Sequence, residues 1–214
     1  PGMVGVATSI PQLSSVAAGN GCFGVSPEVD GIIRRVPLLF SFDGGEGKMP
    51  ILYPSLAVEA VRVAQGAKTL AKARALKPDE IGLFDSPLLM NIGKYDVPLD
   101  WDGQFFTYFS KARPEKYIPA WQVVDGILDP ETIKGKIVFV GTSAEGLKDI
   151  RSTPLDLFIP GVEVHVNVVE QILSGKFLLR PKILGGVELV IISVVGFLII
   201  LLAPFVGAVS MAVF

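Results

Sequence analysis

Charge and hydroxyls concentrate in one stretch of this chain, GTSAEGLKDIRSTP at positions 141–154. Its opening residues invite comparison with a phosphate-binding loop. That loop needs G-x-x-x-x-G-K-[ST], so that backbone N–H groups, a lysine and a magnesium-binding hydroxyl converge on the phosphates. Here Leu147 displaces Lys148 by one position, and Asp149 stands where the hydroxyl should follow. The match fails, and no G-x-G-x-x-G is present either. What remains is a run of small and hydroxyl residues after an expected buried strand, the place where α/β folds put ligands. Thr142 and Ser143 are therefore candidate ligand contacts; the alternative is a tight turn that needs small side chains. Asp149, Arg151 and Thr153 extend the candidate set, although an Asp and an Arg this close commonly pair with each other and fix the loop. Glu163, His165 and Asn167 follow at alternate positions. On a helix only Glu163 and Asn167, four apart, share a face, and these two complete the candidates.

Several chemistries lack their parts. His165 is the single histidine, so a Ser-His-Asp arrangement exists only if that residue serves. A lone histidine beside one glutamate is no metal site, which needs three ligands at suitable spacing. Cys22 stands alone and forms no intrachain disulfide or zinc cluster. No acid/base pair presents itself, so no catalytic residue, metal or cofactor is expected. Arg34-Arg35 could hold an anion, but adjacent arginines usually mark a solvated turn. Trp101 and Trp121 read as core or interface anchors. A net charge of −2 without a long basic run argues against nucleic acid as a partner.

The elements that would position these residues are unevenly distributed. The chain has 214 residues, half of them apolar, with 19 basic and 21 acidic side chains. After Lys182 the only ionisable side chain is Glu188. A polar body over 1–182 is thus followed by ILGGVELVIISVVGFLIILLA at 183–203. As a helix that run spans about 31 Å, the thickness of a bilayer core. Glu188 falls in its first two turns, near the interface and the positive end of the helix dipole. Pro204 breaks the run, and 204–214 reads as the start of a second span. Lys176, Arg180 and Lys182 precede the span, which by positive-inside reasoning points to a cytoplasmic body. Beginning at Pro1 without an initiator Met or signal peptide, the sequence reads as a fragment.

Within the body, 2–10 is expected as a strand ended by Pro11, and Asp30-Gly31 as a hairpin turn. PSLAVEAVRVAQG reads as a helix with Pro54 in its first turn and Gly66 as its stop. A short helix is expected over 69–77, and strands over 88–93 and 104–110 with turn material between them. WQVVDGIL is a short helix or extended turn. The clearest strand is 137–140, IVFV, expected at the centre of a sheet and buried on both faces. PGVEVHVNVVEQILSG alternates at first, yet Val166, Val169, Ile172 and Leu173 share a helical face and Gly175 supplies a stop, so a helix is expected. The fold class is α/β, a central sheet flanked by helices and followed by a transmembrane helix.

The order DGIIRRVPLLF, PSLAVEAVR, VPLDWDGQFFTYF, GKIVFVGTSAEGLKD, STPL and PGVEVHVNVVEQIL, then an apolar span, resembles a CHASE domain of the second type over about residues 20–182. GKIVFVG, TP and PGVEVHVN carry most of the likeness. The resemblance implies the C-terminal part of an extracytoplasmic sensory domain plus its first following membrane span, with an adenylate cyclase or histidine kinase as cytoplasmic output. The family's usual opening membrane helix and earlier α/β portion are missing, so the body is expected to be N-terminally truncated. Implied partners are membrane lipid, a small ligand or protein, and a second copy in a homodimer. The resemblance supplies a role and no ligand chemistry. It also overrides the basic flank and places the body outside the cell. Two rival readings stand beside it: a membrane-anchored α/β enzyme, hydrolytic or nucleotide-binding, built on the TSAEG loop and His165, and a passive assembly module folded against a partner subunit.

Overall fold

The computed structural model describes residues 2–3, 7–42, 50–68, 72–75, 88–100, 102–143, 149–180 and 183–203. Strand β1 (Gly2–Met3) lies parallel to β3 (Leu39–Phe42), which pairs antiparallel with β4 (Ile51–Pro54). Pro11 does not end a strand; it takes the first position of α1 (Pro11–Ser14), where a missing N–H costs nothing. Strand β2 (Arg35–Pro37) pairs antiparallel with β8 (Gln104–Phe106). A third sheet runs β5 (Lys72–Ala75), β6 (Leu88–Ile92), β7 (Tyr95–Leu99), all antiparallel. The β6–β7 connection is the two-residue turn Gly93-Lys94, and Gly93 supplies the positive φ of 64° such hairpins need. Finally β9 (Ile150–Arg151) pairs antiparallel with β10 (Ile159–Pro160).

Two helices close the core over these small sheets. Helix α2 (Leu56–Ala64) starts at Ser55, whose Oγ accepts from the Val58 N–H at 3.3 Å. Pro54, expected inside the helix, instead finishes β4. A five-residue helix, α3 (Ala120–Val124), buries none of its side chains. Helix α4 (Gly161–Ser174) ends at Gly175 in the left-handed conformation, φ 66°. Val58 and Val61 of α2 and Val164, Val168 and Ile172 of α4 are buried in one cluster with Val36, Leu38, Met90, Val97 and Phe105. Each such side chain contributes about 1.5–3 kcal/mol on burial. The buried stripe of α4 is rotated from the expected one: Val164, Val168 and Ile172 carry it, and Leu173 is exposed. Helix α5 (Ile183–Leu202) has no buried residue and is long and apolar enough to cross a bilayer.

Five further expectations need correction. Among the described residues there is no central sheet flanked by helices; the body mixes helices with small, mostly antiparallel sheets. Residues 137–140 join no strand there. Ile137 and Phe139 rest half-buried on the core, while Val138 is 54% and Val140 91% exposed. The backbone groups of 137–143 make no hydrogen bond among the described residues. The described part of 69–77, Lys72–Ala75, is a strand and not a helix, held in register by β6. The material after residue 93 is largely β7, with Pro98 tolerated because β7 is the edge of its sheet. Asp30-Gly31 does form a turn, closed by Gly31 N–H on the Glu28 carbonyl, but it joins no two strands. The glycine-rich loop over 44–47, Trp101, most of TSAEG and 204–214 lie outside the described residues.

Candidate functional site

The candidate residues converge in part on the N-terminal end of α4. Pro160 precedes the helix and offers no side-chain cap. The Gly161 N–H donates to the Asp149 carbonyl at 2.9 Å, and Ile150 pairs with Pro160 across the β9–β10 ribbon. Two glycines allow this closeness. A Cβ at Gly161 would fall 2.3 Å from Asp149 Oδ1, and one at Gly141 would fall 2.6 Å from Val162 Cβ. Asp149 thereby brings its carboxylate to the positive end of the helix dipole. Arg151 Nη2 lies 3.2 Å from Asp149 Oδ1, with both side chains more than a third exposed.

Other candidates have structural partners. Thr153 is buried; its Oγ1 donates to the Asp156 carbonyl at 3.0 Å and accepts from the Asp156 N–H at 3.1 Å, closing a turn. Glu163 accepts the Tyr117 hydroxyl. Burial first, and then this carboxylate, raise the tyrosine pKa above its ordinary value. Asn167 is buried, with Oδ1 accepting from the Ser110 N–H at 3.0 Å and Nδ2 donating to the Glu163 carbonyl at 2.9 Å. Thr142 and Ser143 are exposed beside Gly141. The structure thus groups Asp149 and Arg151 at the helix end, closes Thr153 into its own turn, and commits Glu163 and Asn167 to the distant Tyr117 and Ser110. The arginine pair 34–35 is also occupied: Arg34 bonds Glu28 and Asp30, and Arg35 bonds Glu28.

His165 sits on the same helix, 4% exposed, with Nε2 3.1 Å from the Phe23 carbonyl oxygen. Burial lowers its pKa below the usual value, opposed by the Phe23 carbonyl and by Asp149. A ring buried this deeply is out of reach of an external substrate, which removes the chief support of the enzyme reading.

Sequence reasoning missed two features. Gln171 is buried and bonds the backbone of 106–108: Oε1 accepts from the Tyr108 N–H at 2.7 Å and Nε2 donates to the Phe106 carbonyl at 3.1 Å. Its signal was available, since Asn167 and Gln171 are amides four apart and so share one face of the helix. The second is Arg180, whose Nη2 reaches both carboxylate oxygens of Glu188 at 2.9 and 3.0 Å. It ties the link after α4 to the second turn of α5.

A family model, the CHASE2 domain, matches residues 4–203, which takes in the whole described body from residue 7 and all of α5. The chain belongs to the CHASE2 family. CHASE2 domains are sensory extracellular domains and not catalytic ones, so the polar clusters above belong to a sensory module. No curated protein and no solved structure matches this CHASE2 chain.

Proposed function

We propose that this chain is the extracytoplasmic input domain of a bacterial membrane receptor, which passes a ligand- or partner-dependent shift through α5 to a cytoplasmic output enzyme of the adenylate cyclase or histidine kinase type. The observation that carries the reading is the CHASE2 match, which runs without a break through body and apolar helix alike. Body and span are one inherited unit. The geometry supports coupling between them: α4 stops at Gly175, and Arg180 is bonded to Glu188 within α5. A link this short carries displacement that a long flexible linker would dissipate. Arg180 also has a local reason for its position, which weakens the inference of a cytoplasmic body from the basic flank.

Membrane sidedness tests the reading in the full-length receptor. Cys22 is replaced by serine, and Val124, an exposed residue of α3, by cysteine. A membrane-impermeant maleimide should label Cys at 124 in intact cells. Labelling that appears only after the membrane is permeabilised would put the body in the cytoplasm and end the receptor reading.

A further inference from the structure

His165 is the only histidine of the chain, and its bonding is incomplete. A carbonyl oxygen accepts and never donates, so Nε2 carries the proton in the bond to Phe23. Nδ1 is then a bare lone pair, and it is buried without any hydrogen-bond partner. A second proton must go to Nδ1, which bonds no acceptor among the described residues. Side chains on a helix lean toward its N-terminus, so the ring extends toward Gly161, one turn earlier, where the Asp149 carboxylate lies.

The ionisable groups on the surrounding elements are few. From the Phe23 segment comes Cys22, whose thiol burial keeps protonated. Helix α2 packs on α4 and carries Glu59 and Arg62, paired with each other at 2.6 Å. On α4 itself Glu163 is occupied by Tyr117, and Glu170 by Lys116. From β9 comes Arg151 and from the residue before it Asp149, and Asp149 is the charge that acts on the ring. It is the acceptor that a proton on Nδ1 would recruit, and Arg151 holds it at 3.2 Å.

Resting on the receptor reading, we propose that His165 is a proton-operated latch: on acidification Asp149 exchanges Arg151 for the Nδ1–H of His165 and leaves its place at the start of α4. The proton is then the input, and α4, the last element before the membrane link, is what moves. The sign follows from burial. A histidine whose folded pKa lies below its unfolded value gives full stability at high pH. That stability is lost as pH falls through 6.5 toward the folded pKa, because the opened form takes up the proton more readily.

Being alone, the histidine gives a single ring signal in an NMR titration of the chain in nanodiscs. The midpoint should lie below 6.5. It should fall further in Asp149→Asn, which removes the acceptor, and rise in Arg151→Gln, which frees it. Hydrogen exchange over 161–164 should quicken between pH 7.5 and 5.5 in the natural chain, after correction for intrinsic rates, and stay unchanged in His165→Gln. A midpoint at or above 6.5, or one indifferent to both substitutions, would overturn the latch. So would normal titration with no change in exchange. None of these results bears on sidedness, so the receptor reading stands or falls on the maleimide experiment alone.

Discussion

Replacing Gln171 by methionine should unfold the body at a markedly lower temperature. After β8 the chain continues with Thr107 N–H donating to the Arg34 carbonyl, toward β2. On its other side Phe106 C=O and Tyr108 N–H both meet the Gln171 amide. One side-chain amide thus takes the place of a peptide group on a neighbouring strand, and Asn167 supplies half of the same arrangement, its Oδ1 accepting from the Ser110 N–H. Methionine nearly matches glutamine in volume and helix propensity, so the substitution removes the two bonds and little else. Each buried group left without a partner costs about 1–3 kcal/mol. Tyr108 is an exposed residue, so water reaches its N–H in part and the total falls near about 2–3 kcal/mol. For a chain of this size that lowers Tm by about 5–10 °C. The assay is thermal unfolding in detergent followed by near-ultraviolet circular dichroism, because α5 keeps its helical signal in the micelle. A variant melting within about 1 °C of the natural chain would show that the amide does not hold 106–108 to α4.

Two smaller changes test the start of α4. Gly161→Ala places a Cβ where Asp149 Oδ1 now sits, but that carboxylate is exposed and can turn away, so the change should cost less than about 1 kcal/mol, as should Gly185→Ala, in open space on α5, in the same melt; a larger loss at Gly161 alone would show the carboxylate to be fixed there. Arg151→Ala should cost less than about 1 kcal/mol in denaturant unfolding, since its pair with Asp149 is more than a third exposed and screened by solvent; a loss well above that would assign the pair a larger share of the fold than its exposure allows.

What could be read from the sequence follows the strength of the local signal. Helices α2 and α4 were legible because apolar period and glycine stops agreed, and α5 because its apolar run is long enough to span a bilayer. The strand β5 was not: KARA sits in a run of helix formers, and only its pairing with β6, thirteen to nineteen residues away, overrides that preference. Pro98 disguised β7 as a turn, although an edge strand accepts it. At 137–140 the four apolar residues suggested burial on both faces, but only Ile137 and Phe139 find the core, and the sequence does not say which neighbours flank a strand. For the candidate site, residue types identified Asp149 and Arg151 as neighbours. They were silent on Tyr117 and Ser110, whose encounters with α4 depend on chain reversal some fifty residues away.

Among the described residues the stretch 137–143 is held in an unusual way, by side chains without backbone bonds. Lifting it therefore breaks no ladder and exposes mainly the halves of Ile137 and Phe139 now covered, a cost of about 2–3 kcal/mol. At equilibrium about one molecule in a hundred then has this segment off the body while the rest stays folded. Gly141 and Val162 part in each such excursion, so the start of α4 is uncovered far more often than the global stability of the domain would allow.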